Sequence, residues 1–451
     1  MKTPRALALE ILDGINSQNT YPDILLDRVF KRESHLTQLD RAFITELVYG
    51  VLRWQGRIDW IIGQFSKFKP KRIKPSLLNI LRIGAYQLLF LTKVPDSAAV
   101  NESVKLAKLS QSSQTVSFVN GVLRAIARGK DNIVFPHAEM DSKHYISVFY
   151  SHPQWMVKKW LHEIGKDETI SLCEANNQIP PLTIRTNTIK ITRDDLLRNL
   201  SKNISSVFAT KFSPDGLFLN HISLPVTEME AYKNGWFLVQ DEASQLIAYI
   251  LNPEPGERIL DACAGLGGKT THLAQLIGDM GEIWAWDNNT LKLSILKQTT
   301  QRLGIHAVKV KIRDILVSFK ESEEETYHRI LIDAPCTGLG TIRRNPDIKW
   351  KKGPKDCIRL QNLQVRILKN LAPLLKKNGI MVYATCTMAK EENEEVIESF
   401  LRDFPNFVLE DILPILGNTY KDLISPSGFF KTYPHRHNMD GFFAARLRKL
   451  S

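Results

Sequence analysis

Residues 260–271 read Leu260-Asp261-Ala262-Cys263-Ala264-Gly265-Leu266-Gly267-Gly268-Lys269-Thr270-Thr271, an apolar run that passes through three glycines into a helix-forming stretch. Glycines at a strand-to-helix junction let the backbone come close to a ligand, so the fold turns on which ligand this loop serves. A phosphate-cradling P-loop needs glycine six positions before its lysine, and residue 263 is cysteine. A dinucleotide fingerprint starting at Gly265 needs glycine at position 270, where threonine would crowd the helix–strand contact. ATP, GTP and nicotinamide dinucleotides are all disfavoured.

Downstream of the loop, short apolar stretches alternate with amphipathic ones. Strands are expected at 258–262, 282–287, 308–313, 329–333, 380–385 and 442–446, and helices at 270–276, 291–303, 356–375 and 391–400. Such alternation predicts a mostly parallel sheet wrapped by helices, a Rossmann-like arrangement. Asp287 ends the second strand about where a ribose-binding carboxylate belongs, and Asp314 follows the third, placed to accept from an adenine amino group. Each acid alone could do no more than cap the helix behind it. Together, with Asp261 ahead of the loop, they fit a cofactor that has a ribose and an adenine but no phosphate. S-adenosylmethionine is such a cofactor.

The fourth strand ends in Asp333-Ala334-Pro335-Cys336-Thr337-Gly338 and the fifth in Ala384-Thr385-Cys386-Thr387. Ligands of such sheets sit beyond the carboxyl ends of the strands, and paired neighbours lie about 5 Å apart, so both thiols are expected to face one cleft. A lone buried cysteine is usually a small hydrophobe. Two at neighbouring strand ends point instead to chemistry. Carbon 5 of cytosine is a poor nucleophile until a thiolate adds at carbon 6 and turns the ring into an enamine. Methyl transfer, loss of the carbon 5 proton and elimination of the thiol then restore aromaticity. Asp333 could hydrogen-bond the ring nitrogen or amino group and stabilise the adduct. Either thiol fits this geometry as nucleophile.

The rest of the chain bounds the reading. At 451 residues, about three domains are expected. A composition 43% hydrophobic and 24% charged is that of a folded protein, and the formal charge of +12 favours a polyanionic partner. Five cysteines are too sparse for a disulfide framework, and none stands in zinc-ligand spacing, so reduced thiols, no metal and a cytoplasmic location are expected. Glu10 and Asp13 interrupt the first apolar stretch and Arg82 the greasiest one, which speaks against a signal peptide or a membrane span. Residues 1–140 read as a helical domain, 150–235 as a small α/β module and 236–451 as the catalytic domain. Lys67, Lys69, Lys71, Arg72 and Lys74, interleaved with Phe65, Phe68 and Pro70, could grip RNA, although a solvated loop reads the same way. In the small module, Asn177, Arg185 and Asn187 could touch RNA too.

These residues together resemble the RNA cytosine-5 methyltransferase family, also called Nol1/Nop2/Sun or Sun/Fmu. Beyond the two cysteine motifs, the likeness takes in Tyr49-Gly50-Val51-Leu52-Arg53-Trp54, Val94-Pro95, Gly235-Trp236, Gln240-Asp241-Glu242-Ala243-Ser244, the loop 341–350 and Asp440-Gly441-Phe442-Phe443. It implies an all-α NusB-like RNA-binding domain, a small α/β RNA-binding module and a Rossmann-like class I methyltransferase domain. It implies Cys386 as nucleophile and Cys336 as the thiol that assists product release. It places S-adenosylmethionine on Cys263, Ala264, Gly265, Leu266, Gly267, Gly268, Lys269, Asp287, Asp314 and Asp333. The loop 341–350 resembles a substrate loop. The implied substrate is a cytosine in small-subunit ribosomal RNA, acted on by a monomer without metal or membrane. A transfer RNA cytosine-5 methyltransferase and a non-catalytic RNA-binding or antitermination protein are the rival readings. A DNA methyltransferase would have its nucleophile at the fourth-strand Pro-Cys alone. The family usually has proline where Leu266 stands and serine where Thr387 stands; losing the proline should loosen the loop, while the threonine keeps the hydroxyl.

Overall fold

Apolar side chains recurring every three or four residues gather the first part of the chain into helices. The structure, a computed structural model, describes residues 2–18, 20–109, 112–220, 222, 224–317, 319 and 324–450. Its contacts divide the chain into two units, residues 1–178 with 342–351, and residues 179–341 with 352–451. The division differs from the expected boundaries at 140, 150 and 235. The helices between 150 and 178 group with the first unit, and the small sheet groups with the catalytic strands.

The first unit contains α1 (Pro4–Gln18), α2 (Pro22–Arg32), α3 (Gln38–Phe65), α4 (Pro75–Phe90), α5 (Asp96–Lys108), α6 (Ser113–Gly129), α7 (Ser142–Phe149), α8 (Gln154–Ile164), α9 (Lys166–Asn177) and the short α15 (Ile348–Lys351). The long α3 starts with a capping box, Thr37 accepting from the Asp40 amide while Asp40 accepts from Thr37. Its face of Ile44, Leu47, Val51, Ile58 and Ile62 packs with Ile80, Leu81 and Ile83 of α4 in one core. Arg82, the charge inside the greasiest run, is buried and meets Asp59 with two hydrogen bonds of 2.8 and 2.7 Å, so it is neutralised within the bundle. Among the described residues no helix is long and apolar enough to cross a membrane. Lys67, Lys69, Lys71, Arg72 and Lys74 are all exposed between α3 and α4.

Residues 342–351, which take in all but the first residue of the expected substrate loop 341–350, group with this unit and are largely buried in it. Lys349 is fully buried and donates to the carbonyls of Arg53 at 2.7 Å and Ser151 at 2.8 Å and to Asn177 Oδ1 at 3.1 Å. Trp350 donates its indole N–H to the Leu52 carbonyl at 2.7 Å. Its ring lies where a Cβ on Gly56 would come within 2.9 Å, which is why α3 has glycine there. Asn177, offered by the sequence as an RNA contact, is thereby occupied, its amide also donating to the Tyr150 carbonyl at 2.7 Å.

The second unit opens with β1 (Leu182–Thr186), α10 (Arg193–Leu200), β2 (Ser206–Ala209), β3 (Gly216–Asn220), α11 (Glu230–Lys233) and β4 (Phe237–Val239). Its four strands form an antiparallel sheet in the order β2-β3-β1-β4. There follow α12 (Glu242–Leu251), β5 (Arg258–Asp261), α13 (Gly268–Leu276), β6 (Glu282–Asp287), α14 (Thr290–Leu303), β7 (Val308–Ile312), β8 (Tyr327–Asp333), α16 (Pro354–Leu371), β9 (Leu375–Thr385), α17 (Glu394–Asp403), β10 (Phe407–Glu410), α18 (Leu413–Leu416), β11 (Phe430–Lys431), α19 (Pro434–His437) and β12 (Phe443–Lys449). The large sheet runs β10-β12-β9-β8-β5-β6-β7, with β11 on β12. β5 through β9 pair in parallel, and β12 enters antiparallel between β9 and β10. From β5 the chain winds outward through β6 and β7, then returns to β8 on the other side. The strand order therefore reverses between β5 and β8, the place where such sheets open a ligand crevice.

Arg185 and Asn187 are corrections to the sequence reading, because both are buried rather than offered to RNA. Arg185 donates to the Gly268 carbonyl at 2.6 Å and to Thr271 Oγ1 at 2.9 Å, and Asn187 donates to the carbonyls of Gly235 and Leu303, each at 2.8 Å. They tie β1 to the first turn of α13 and to the end of α14.

Replacing Lys349 by methionine keeps most of its bulk but removes three hydrogen bonds, one of them to the Arg53 carbonyl, which α3 itself still pairs. At about 1 kcal/mol or more for each, the helical unit should lose about 2–4 kcal/mol of stability. Urea denaturation followed by circular dichroism measures this, and a loss below about 0.5 kcal/mol would show that the buried lysine anchors nothing.

Candidate active site

The loop between β5 and α13 is shaped by glycines that no other residue would replace without strain. Gly265 and Gly267 have φ of +55° and +86°, and a Cβ on Gly267 would come within 2.6 Å of Leu296. Gly267 is the N-cap of α13, so the loop delivers its amides into a helix start. Ala264 is held to the sheet by its amide on the Trp286 carbonyl at 2.8 Å, while Leu266 stands half exposed at the tip.

The three acids expected to meet a cofactor lie around one cavity of about 340 Å³, which Cys263, Gly265, Asp287, Asp314 and Asp333 help to line. Asp287 accepts from the Gly265 amide at 3.0 Å and from the Asn289 amide at 2.8 Å. The helix behind it is capped by Asn289, not by Asp287. The capping explanation therefore fails for Asp287, which instead fixes the glycine loop. Asp314 accepts from the Leu316 amide at 2.9 Å at the turn after β7. Ile315, Leu316, Leu363 and Ile367 supply apolar walls between the acids. Carboxylates spaced for hydroxyl and amino donors, with apolar walls between them, suit an adenosine. The sequence reading had missed Lys292, Arg313 and the α16 side chains of this lining; only the amphipathic pattern of α16 hinted at them.

Asp333 also lines the cavity, and Lys269 donates to its Oδ2 at 2.6 Å. Lys269 is buried and lies with its ammonium 5.1 Å from the centre of the Phe442 ring. The loop lysine thus pins the acid that ends β8, a partnership the sequence reading did not anticipate. Asp261 is fully buried below the loop, where Thr270 donates to it at 2.6 Å. Burial pushes its pKa up to about 7, against the opposing hydrogen bonds of Thr270 and the Cys263 amide.

Beyond Pro335 the two thiols meet. Cys336 Sγ and Cys386 Sγ are 3.3 Å apart, each partly exposed. The parallel register of β8 and β9, with Asp333 opposite Ala384, brings the two strand ends level. The Gly340 amide then closes on the Cys386 carbonyl at 2.9 Å. The hydrogen bond to Cys386, burial and the nearby Glu392 carboxyl all push the Cys336 thiol well above its ordinary range. Ionisation of Cys336 is thus disfavoured where it stands, which makes it the poorer of the two as an attacking thiolate. Neither thiol lines the 340 Å³ cavity, whose lining reaches the cysteine turn only at Pro335. Cys336 follows Pro335 directly, so the thiol pair begins one residue beyond that lining.

Beneath the thiols lie residues that the sequence reading missed. Glu392, Asn393 and Gln364 are all buried and hydrogen-bond the residues flanking both cysteines. Glu392 and Asn393 stand in the run Glu391-Glu392-Asn393-Glu394-Glu395, which reads as a solvated acidic helix start.

Comparison with known proteins gives one consistent picture. Residues 248–448 match the model described as 16S rRNA methyltransferase RsmB/F, residues 2–128 match the NusB family, and residues 152–227 match the ferredoxin-like domain of RsmF/B-like methyltransferases. A probable ribosomal RNA small subunit methyltransferase B of Synechocystis is 38% identical, with 100% of each chain covered. The protein of the same description in Bacillus subtilis is 36% identical, covering 99% of this chain and 98% of its own. Among solved structures, PH0851 is 26% identical with a TM-score of 0.80, covering 100% of this chain and 99% of its own. A methyltransferase homologue from Pyrococcus horikoshii is 28% identical with a TM-score of 0.59, covering 70% and 100%.

Asp261 gives this site a pH signature. Its folded pKa of about 7 lies above the ordinary carboxyl value of 3.8, so folding takes up a proton between the two. Its contribution is present at the acid end of that window and is lost as pH rises towards 7. In Asp261→Asn, neutral throughout, the stability difference from wild type should grow in favour of the variant from pH 4 to 7. It should level off above that, having changed by about 2–4 kcal/mol. Urea denaturation of both proteins at four pH values measures it, and a difference that stays constant with pH would show that Asp261 does not titrate in this window.

Proposed function

Because the chain belongs to the 16S rRNA methyltransferase RsmB/F family, we propose that it methylates carbon 5 of one cytosine in small-subunit ribosomal RNA, the 967-type site, through a covalent cysteine adduct. The observation that carries this reading is the pair of thiols 3.3 Å apart at the ends of neighbouring strands, with the charged form of Cys336 disfavoured.

S-adenosylmethionine, held by the glycine loop, Asp287, Asp314 and Asp333, supplies the methyl group when bound. Everything else is done by the chain's own residues. Cys386, as thiolate, forms a bond to carbon 6 of the cytosine and displaces the carbon 5–carbon 6 π electrons into the ring. Asp333, fixed by Lys269, accepts from the exocyclic amino group and orients the base. Once carbon 5 is methylated, its proton passes to solvent, and the electrons of that bond rebuild the double bond. The sulfur–carbon bond breaks as that double bond forms, its electrons leave with the Cys386 sulfur, and Cys336 gives that sulfur a proton. The five exposed basic residues between α3 and α4 supply a positive surface for RNA outside the catalytic unit. The target cytosine has to be unpaired or flipped for a thiol to reach its face. The protein acts as a monomer in the cytoplasm.

Two cysteine variants test the mechanism, using methyl transfer from labelled S-adenosylmethionine to transcribed small-subunit ribosomal RNA. Cys386→Ala should lose methylation by at least about a thousandfold. Cys336→Ala should form the adduct yet release it slowly, leaving a covalent protein–RNA band on a denaturing gel. Full turnover by Cys386→Ala would overturn the covalent route. Bisulfite sequencing of ribosomal and transfer RNA from a strain lacking the gene tests the substrate. The expected result is one unmodified cytosine in 16S RNA, and a loss confined to transfer RNA would favour the rival substrate.

A further inference from the structure

We propose that Glu392 is a positioning residue, a single carboxyl group that holds Cys336 and Cys386 as a pair by clamping the threonine that follows each of them. The proposal rests on the two-thiol reading above, although the clamp itself is visible without any substrate. Glu392 Oε1 accepts from Thr337 Oγ1 at 2.5 Å and from Thr387 Oγ1 at 3.4 Å. Glu392 Oε2 accepts from the Thr337 amide at 2.8 Å and from Gln364 Nε2 at 3.2 Å. The two threonine hydroxyls are themselves 3.0 Å apart. One side chain thus joins the turn after β8 to the turn after β9.

Its neighbours complete the grip. Asn393 accepts from Thr385 Oγ1 at 2.6 Å and donates to the Thr387 carbonyl at 3.0 Å. Gln364 donates to the Pro335 carbonyl at 2.9 Å. The residues on both sides of each cysteine are therefore fixed by hydrogen bonds, while the two thiols meet each other at 3.3 Å. Burying an acid is costly unless donors surround it, and four donors converge here on two oxygens. An apolar side chain would fill the same space more cheaply but would leave those donors without an acceptor.

The test reads sulfur–sulfur proximity directly, without RNA. Diamide accepts two electrons and two protons at its N=N bond from the two thiols, becoming a hydrazine as the S–S bond forms. Peptide mapping follows the Cys336–Cys386 disulfide. In Glu392→Ala the rate should fall by about tenfold or more, because disulfide formation tolerates little misplacement. The methylation kcat should fall by about a hundredfold, with KM for S-adenosylmethionine held within about twofold. Glu392→Gln should restore both rates to within about fivefold. Its carbonyl can accept from the Thr337 amide and Gln364 while its amide donates to Thr337 Oγ1. A merely structural role would move cofactor binding and kcat together and would not be rescued at the thiols alone. Should the alanine variant fail to fold, Thr387→Val removes one shared hydroxyl at nearly constant volume and should slow disulfide formation by about threefold. Disulfide rates unchanged in both Glu392→Ala and Thr387→Val, or unchanged in Thr387→Val where only that variant folds, overturn the clamp. Full turnover by Cys386→Ala would instead overturn the covalent reading and leave the disulfide result intact.

Discussion

The parallel pairing of β5, β8 and β9 is the constraint on which the rest of the site depends. Because β8 and β9 run side by side in register, their carboxyl ends stop at the same level and deliver Cys336 and Cys386 to one place. Because β5 lies on the other side of β8, the glycine loop opens beside Asp333 and Lys269 can reach it. A register slip of one residue would turn each of these side chains to the opposite face of the sheet. The hydrophobic cores above and below the sheet, with Ile259, Leu331 and Val382 on one face and Leu260, Ile332 and Tyr383 on the other, prevent that slip.

Within this frame, charge is handled by pairing rather than by exposure. Lys269 and Asp333 neutralise each other at the lip of the cavity, and Arg185 satisfies the carbonyl of Gly268 from behind. Asp261 is the exception, an acid buried so deeply that its proton is retained towards neutral pH. Four kinds of group therefore converge on the β5–α13 loop: a fixed cation, a paired acid, a protonatable acid and two left-handed glycines. Leu266 is the loop's half-exposed residue, so the place where the family usually has proline is also the place least constrained by packing.

Much of this was legible from the residues alone. The six expected strands correspond to β5, β6, β7, β8, β9 and β12; β5, β6, β8 and β9 are buried apolar runs of a parallel sheet, while β7 alternates valine and lysine and β12 pairs antiparallel. β10 and β11 went unread: at four and two residues they are too short to show a period. The expected helix 356–375 ends at Leu371, since Pro373 cannot donate to a continuing helix and Leu375 already belongs to β9. Arg185, Asn187 and Lys349 were misjudged for one reason. A polar side chain suggests a surface, and only the three-dimensional neighbours reveal carbonyls waiting to be paired. Glu392 was hidden in the same way among four other polar residues.

The asymmetry between the two thiols follows from their surroundings rather than from their motifs. The sequence places each at a strand end and gives no physical ground for ranking them. The structure gives one: Cys336 lies where the Glu392 carboxyl and the sulfur of Cys386 both disfavour a second negative charge. The penalty on a charge at Cys336 makes it the poorer candidate for the attacking thiolate, in line with the order that the family resemblance implies for nucleophile and releasing thiol. On the covalent route proposed above, Cys386 bound to the base would carry no charge, and part of the penalty on Cys336 would go with it. The second thiol would then be easier to ionise after the first had reacted, and could give up its proton when the departing sulfur needs one.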